Sequence, residues 1–268
     1  MLTMHPTLLI GPADWDAEIM PQAEFSARIA KLWDVWPQAA GALVYGDSRD
    51  HAALAYLTNF TPKLEPAIAL IPREGAPRLM VGGGANMIPA AKPLTWVSDL
   101  VSLRPTGKTI AQWREGMGNG DCVCIGIDAM PTRLRRELDS AFAKQTPDDE
   151  AHRLHVLMQD KSPRELACIG AASAALQAAV DAMRDTHRSR GGITDVVLAG
   201  EHAAIEHEAQ DVRTLFSLDS GRTYRPFSVP VETAIDPLVV YIAVCRFGYW
   251  VDGVVTLASG SAMLRSPA

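Results

Sequence analysis

The stretch that decides the fold, residues 239–256, reads VVYIAVCRFGYWVDGVVT. Two runs rich in β-branched and aromatic residues lie on either side of Phe247-Gly248, and a glycine between two such runs is typical of a hairpin turn. We therefore predict antiparallel strands at 237–244 and 249–257. Asp252 is the only carboxylate in this stretch, and no Asp, Glu, His or Cys follows it as far as Ala268. Any site on the hairpin must be built around this one acidic group.

A strong helix start lies upstream of the hairpin. Ser162 suits the N-cap, Pro163 suits the first helical position, and Glu165 completes a capping box. Apolar residues then recur at intervals of three and four, which predicts a long helix that packs through one face. That predicted face consists of Leu166, Ile169, Ser173, Leu176, Val180 and Met183.

The long helix is followed by further elements that complete a second domain. Gly191-Gly192 ends the helix, a second helix is predicted from Thr194 to about Gln210, and a strand is predicted at 215–218. Two helices followed by strands predict an α+β domain, which we place at residues 156–268.

The first half of the chain alternates helices with strands. Helices are predicted at 25–36, 49–60, 109–116 and 131–142, and strands at 41–45, 67–71, 78–81 and 122–127. The Glu74-Gly75 turn makes the second and third strands a hairpin. This alternation is typical of an α/β domain, which we place at residues 1–155.

The bulk properties exclude several classes of protein. The 268 residues are 48% hydrophobic and carry a formal net charge of −6, so electrostatic capture of nucleic acid is not expected. The four cysteines form no paired metal-binding motif and no disulfide framework. We find no apolar run of bilayer-spanning length and no signal peptide. We therefore expect a cytoplasmic protein with neither nucleic-acid nor membrane partners.

Several short motifs occur in a characteristic order. They are KSPREL at 161–166, GITD at 192–195, Ser220-Gly221 and GYWVD at 248–252, preceded in the first half by YLTNF at 56–60. Together these motifs resemble the creatinase, prolidase and Xaa-Pro aminopeptidase family. The resemblance implies a creatinase-type N-terminal domain followed by the first half of a pita-bread domain.

The resemblance also implies a metal site that this sequence does not complete. Catalytic members of the family hold two metal ions with two hairpin Asp residues and with a later His and two Glu. Asp252 matches the second hairpin Asp, whereas Tyr241 occupies the position of the first, and Asp236 lies too early. Nothing before Ala268 matches the later ligands. Because such sites need several anionic ligands, we expect no metal-dependent peptidase activity from this chain alone.

Two groups of residues are candidates for substrate binding. The family's substrate-binding His would follow Ser220-Gly221, where this sequence has Arg222, Tyr224 and Arg225. A pair of arginines suits a small carboxylate ligand, although an ordinary surface loop is an equal alternative. Arg49 and His51 follow the first predicted strand, and in creatinase-like dimers this domain covers the partner's site. For these two residues the alternative is helix capping by Asp47 or Ser48.

These observations lead to one functional hypothesis and two alternatives. The first is a degenerate relative of the family, a pseudoenzyme without cofactor that acts as a non-catalytic subunit or as a module that binds a partner or a small molecule. An apolar hairpin surface formed by Tyr241, Val244, Phe247 and Trp250 predicts a homo-oligomer, or a hetero-oligomer with a pita-bread partner. The second is a hydrolase of C–N bonds whose divalent metal ions are held with ligands from another polypeptide. The third is a fragment of a longer protein.

Overall fold

The computed structural model describes residues 14–118, 120–226 and 233–258. The chain divides into two compact units, Met1–Lys161 and Ser162–Ala268. The division therefore falls six residues beyond the one placed at 155/156 from the sequence. The difference arises from a helix at Ala151–Leu157, which the sequence analysis did not identify and whose buried Leu154 packs within the first unit.

The first unit contains a five-stranded mixed sheet with helices between its strands. Its helices are α1 (Gln22–Val35), α2 (Ala52–Thr58), α3 (Ile88–Ala91), α4 (Thr106–Gly116), α5 (Thr132–Ala141) and α6 (Ala151–Leu157), and its strands are β1 (Ala39–Gly46), β2 (Ala67–Pro72), β3 (Arg78–Val81), β4 (Asp99–Ser102) and β5 (Asp121–Ile125). The strand order is β4-β3-β2-β1-β5. β1, β2 and β3 are antiparallel neighbours, whereas β4 and β5 join the sheet in parallel at its two edges. The predicted α/β class is confirmed.

The central strands of this sheet are buried on both faces. Along β1, Ala42, Leu43, Val44 and Tyr45 are all almost inaccessible to solvent. Leu43 and Tyr45 belong to the core that also holds apolar residues of α4 and α5, while α2 packs against β1 and β2. Burial on both faces explains why these strands read as continuous apolar runs. The short β4 was not predicted, because its four residues, Asp99–Ser102, are all half-buried and include polar ends.

The second unit packs two helices against a four-stranded antiparallel sheet. Its elements are α7 (Pro163–Arg188), α8 (Ile193–Glu206), β6 (Asp211–Ser217), β7 (Arg225–Pro226), β8 (Leu238–Arg246) and β9 (Tyr249–Leu257). The strand order is β7-β6-β8-β9. The predicted hairpin is confirmed: Phe247 and Gly248 have φ of 52° and 78°, as in the tight turns that match the twist of paired strands. The predicted α+β class of this half is also confirmed.

The predicted start of α7 is confirmed, and both hydrogen bonds of the capping box are present. The Glu165 amide donates to Ser162 Oγ at 3.2 Å, and the Ser162 amide donates to Glu165 Oε2 at 3.0 Å. Glu165 Oε1 also accepts a hydrogen bond from the Tyr249 hydroxyl at 3.0 Å. The capping residue therefore joins the helix start to the first residue of β9.

The predicted packing face of α7 is wrong over its first half. Leu166 is 57% exposed and Ser173 is exposed, whereas Cys168, Ala172 and Ala175 are buried. The small alanine side chains let the helix approach its neighbours closely, so the face with the smaller residues packs inward. Hydrophobic periodicity favours large side chains and therefore selected the neighbouring face.

The helix α7 also corrects the expectation about apolar runs. Its 26 residues have an 18-residue window of mean hydropathy 1.5, which is long and apolar enough to cross a membrane by length and composition. Ala175, Ala179, Val180 and Met183 lie in the core of the second unit. Because core helices pass the same test, this property alone does not indicate a membrane protein.

Candidate functional site

Alternation along the strands gives the sheet of the second unit two distinct faces. The alternate residues Leu238, Val240, Ile242 and Val244 lie in the core with residues of α7 and α8. The other residues point to the opposite side, which we call the outer face. It consists of Asp211, Arg213, Leu215 and Ser217 on β6, Val239, Tyr241, Ala243 and Cys245 on β8, and Trp250, Asp252, Val254 and Thr256 on β9. Val244, predicted to lie on the uncovered surface, is therefore buried on the core face.

Tyr241 and Asp252 form a pair at the centre of the outer face. Asp252 is opposite Ala243 and Tyr241 is opposite Val254, so the two side chains are diagonal neighbours. The Tyr241 hydroxyl donates a hydrogen bond to the Asp252 carboxylate. Burial raises the pKa of Tyr241, and the hydrogen bond and negative charge of Asp252 raise it further, while Arg213 acts in the opposite direction. The phenol therefore stays protonated and remains a donor to the carboxylate at neutral pH.

Arg213 extends this pair across the sheet. It lies opposite Ala243, which itself lies opposite Asp252, so Arg213 and Asp252 are in one row across three strands. Its guanidinium lies 4.4 Å from the centre of the Trp250 ring and forms an ion pair with Asp211 at 3.2 Å. Cation–π contacts and ion pairs of this kind hold a long side chain in place. The outer face thus carries a connected band of charged and aromatic groups.

The sequence analysis missed Arg213 as a member of this band and predicted only an apolar role for Trp250. The predicted strand began at residue 215, whereas β6 begins at Asp211. Residues at alternate positions of a strand share a face, so an earlier strand start would have placed Arg213 with Leu215. The contact with Trp250 depends on the β6–β8–β9 register, which the sequence does not specify.

Asp219 organises the loop that follows β6. Its carboxylate accepts hydrogen bonds from Ser217 Oγ at 2.7 Å, the Thr223 amide at 2.9 Å and Thr223 Oγ1 at 2.7 Å. Hydrogen bonds from Thr223 and Ser217 lower the pKa of Asp219 to about 2, and the Arg222 amide contributes. The loop also needs left-handed backbone at Ser220 and Gly221, with φ of 59° and 86°. Asp219, which the sequence analysis did not identify, therefore holds the backbone of the loop that contains Arg222.

The structure separates the predicted substrate-binding residues of this loop. Arg222 is exposed, and Tyr224 is 38% exposed. Arg225 is the first residue of β7 and pairs with Phe216, whose side chain is in the core. Directly paired residues point to the same face of a sheet, so Arg225 lies on the side opposite Asp252. The role of Arg225 toward a ligand stays a prediction.

Comparison with solved structures identifies the fold. The chain is similar to the X-Pro aminopeptidase from Thermotoga maritima, with a TM-score of 0.68, 16% identity, and coverage of 87% of this chain and 66% of that one. The Xaa-Pro dipeptidase from Bacillus anthracis gives 0.65 and 16%, over 87% of this chain and 65% of that one. The prolidase from Pyrococcus horikoshii gives 0.65 and 15%, over 89% and 65%. This chain has the pita-bread peptidase fold. The resemblance predicted from the sequence is confirmed at the level of the fold.

The similarity to the solved structures covers only part of their length. This chain spans about 65% of the length of the dipeptidase and prolidase that it matches. No protein-family model and no curated protein matches the sequence. At 13–16% identity to the solved structures, the similarity concerns the fold. What the pita-bread sheet of this chain can do therefore follows from its own side chains.

The outer face of this pita-bread sheet does not fit a divalent metal centre. Asp211 and Asp252 lie on strands separated by β8, roughly 10 Å apart from strand spacing alone. Arg213 forms an ion pair with Asp211 and is in the same row as Asp252, so its positive charge opposes a cation near either carboxylate. No group of three His, Cys, Asp or Glu side chains that could hold a metal ion occurs within residues 14–118, 120–226 and 233–258. Asp252 is instead an acceptor for Tyr241.

The first unit places Arg49 and His51 in the turn between β1 and α2. The carboxylate of Asp47 accepts hydrogen bonds from the amides of Arg49 and Asp50 at 2.8 and 2.9 Å. The imidazole Nδ1 of His51 lies 3.2 Å from the Asp47 carbonyl oxygen. Burial lowers the pKa of His51, as does Lys63, against the opposing effect of the nearby carboxylates. Asp47 thus organises this turn, while the role of Arg49 and His51 toward a ligand stays a prediction.

Proposed function

We propose that this chain is a binding subunit built on a hydrolase-type pita-bread scaffold, without metallopeptidase activity of its own. The observation that carries the proposal is the placement of Tyr241, a neutral side chain, diagonally beside Asp252 across the β8–β9 pair. The one hairpin carboxylate that matches a metal ligand of the family is already an acceptor, and its partner is a neutral donor. A hydroxyl at this position supplies no negative charge to offset the desolvation of a divalent cation.

Arg213 adds a second physical reason. Arg213 is in the same row of the sheet as Asp252 and is close enough to Tyr241 to influence its pKa. A divalent cation bound at Asp252 would therefore face a fixed positive charge across one strand. Such a face suits polar or anionic groups of a ligand better than metal ions. A small carboxylate at Arg222 and Tyr224 stays part of this proposal.

The open edge of the sheet supports a partner as part of the same proposal. Within the described residues β9 pairs only with β8, so this nine-residue strand is an edge of the sheet. Trp250 and Val254 are 40% and 60% exposed beside that edge. An unpaired edge with apolar neighbours is a site where another chain adds a strand. We propose a homo-oligomer or a hetero-oligomer with another pita-bread chain.

A second candidate function follows from the same edge. A strand added beside β9 would bring new side chains next to Asp252 on the outer face. If these side chains supplied carboxylates and histidine, the complex would be a metal-dependent hydrolase of C–N bonds. The two candidates make different predictions for metal content.

The distinguishing experiment measures bound Mn²⁺ by elemental analysis after dialysis, together with the native mass and cleavage of Xaa-Pro dipeptides. We expect no stoichiometric metal in the wild-type chain. Tyr241→Asp adds the missing carboxylate and should bind Mn²⁺ at least about tenfold more tightly than Tyr241→Phe, which only removes the hydrogen bond. Two equivalents of metal on the wild-type chain alone would overturn the proposal. Metal and peptidase activity only in a hetero-complex would establish the second candidate.

The partner surface has its own matched pair of variants. Val254 on β9 and Ile205 on α8 are both 60% exposed, but only Val254 is on the outer face. Val254→Lys should shift the sedimentation of the protein toward the monomer, whereas Ile205→Lys should leave it unchanged. A wild-type chain that sediments as a monomer at micromolar concentration and captures no pita-bread partner would contradict this part of the proposal.

A further inference from the structure

The first unit contains a groove whose residues are distant in sequence from those of the outer face. Its volume is about 490 Å³, within the usual range of small-molecule pockets. Its lining residues belong to α5 and to the segment that follows this helix. The groove is lined by Arg135, Arg136, Asp139, Ser140, Lys144 and Thr146.

The charges of this groove are unusual for the protein. Three cations and one carboxylate line it, a formal charge of +2, whereas the whole chain carries −6. Arg135 is partly neutralised, because it forms ion pairs with Asp139 at 3.1 Å and with Asp128 at 3.6 Å. Arg136 and Lys144 form no ion pair with any other described residue. Two unpaired positive charges therefore share one concave surface.

The backbone after α5 brings the second of these cations into the groove. Ala143 and Lys144 both adopt left-handed conformations, with φ of 50° and 65°. This turn is held by the Lys144 amide, which donates to the Asp139 carbonyl oxygen at 2.7 Å, and by Thr146 Oγ1, which donates to Asp139 Oδ1 at 2.7 Å. Two successive left-handed residues that are not glycine are strained. The strained turn reverses the chain and returns Lys144 and Thr146 to the side of α5.

We propose that this groove binds a small molecule through a dianionic phosphate group. Arg136 supplies a planar donor fork and Lys144 a compact positive charge, the two cationic groups that proteins use for phosphate. The Ser140 hydroxyl is a further donor on the same wall. A phosphate dianion matches the +2 charge of the lining, and the volume leaves room for an organic group attached to it. The site is independent of the outer face and of the function proposed for it.

The test titrates inorganic phosphate into the full-length protein at constant ionic strength, with amide chemical shifts as the readout. We expect saturable shifts for the amides of Lys144 and Thr146. Arg136→Gln and Lys144→Gln should each weaken binding about tenfold, the effect of one charge-assisted contact. Arg136→Lys, which keeps the charge, should lose less than Arg136→Gln. Glycerol phosphate should bind at least as tightly as inorganic phosphate.

A matched control is available on the same helix. Arg133 has a 71% exposed side chain near Glu137 and does not line the groove, so Arg133→Gln removes the same charge from the same protein. Equal weakening by Arg133→Gln and Arg136→Gln would reduce the effect to general electrostatics and overturn the proposal. The absence of saturable shifts in the wild-type protein, or of any loss in either groove variant, would overturn it as well.

Discussion

Replacing Gly200 by alanine tests the packing of α7 against α8. The added methyl carbon would lie 2.2 Å from Met183 Cε, 2.6 Å from its Cγ and 3.0 Å from its Sδ, whereas carbon atoms in contact are about 3.5–4.0 Å apart. Met183 is 0% exposed and lies in the core, so its side chain has little free space. Overpacking costs about 1–3 kcal/mol, and alanine for a helical glycine returns about 1 kcal/mol. Gly200→Ala should therefore lower the free energy of unfolding by up to about 2 kcal/mol.

Gly170 supplies the matched control. It lies in α7 and is exposed, and an added methyl group would meet nothing within 4 Å. Gly170→Ala should raise the free energy of unfolding by about 0.5–1 kcal/mol, because it only reduces backbone entropy of the unfolded chain. Hydrogen exchange of the α7 and α8 amides in the full-length protein measures both effects in the unit concerned. A Gly200→Ala protein at least as stable as the wild type would refute the observed close approach of the two helices.

Three further predictions concern single contacts. Asp252→Asn removes the charge that helps to raise the pKa of Tyr241, so the phenol should titrate at lower pH in an ultraviolet pH titration. Because a raised pKa favours the protonated folded form, the wild-type pair stabilises the fold below about pH 10. This effect is lost as the pH rises through the pKa of Tyr241 in the folded protein. Asp219 has a lowered pKa of about 2, so its contribution to stability is present above about pH 4 and is lost as the pH falls toward 2. The chemical shift of the Thr223 amide should report a midpoint near pH 2. A midpoint near pH 4 would contradict the hydrogen-bonded loop. Ser162→Ala removes the N-cap of α7 and should cost about 1 kcal/mol in thermal or urea unfolding, with no change expected if the capping box were absent.

The hairpin and the helix start were predictable because their determinants are local. A β-turn depends on a few consecutive residues, and Gly248 readily adopts one of the two positive φ angles of this turn. The capping box likewise depends on Ser162 and Glu165, three positions apart. The order of such local motifs along the chain was sufficient to predict the pita-bread fold.

The candidate site was only partly predictable, because its members meet across strands. Asp252 and Tyr241 were identified from their positions relative to a known family, but their hydrogen bond depends on the β8–β9 register. Arg213 was missed since it belongs to no motif, and its contact with Trp250 was not predicted because that contact links β6 to β9. The face on which Arg225 lies also depends on pairing between strands, because Arg225 is opposite Phe216, a residue of the core.

By itself, then, the sequence determined most of the elements of this protein and the family likeness of their order, because caps, turns and apolar periodicity act over a few residues. The tertiary structure decided which faces meet. It placed the alanines of α7 inward and Leu166 outward, and it brought Lys144 back beside Arg136. It also placed Tyr241 diagonally beside the hairpin carboxylate of Asp252. These outcomes depend on close packing and strand register, in which each side chain is positioned by residues distant in the chain.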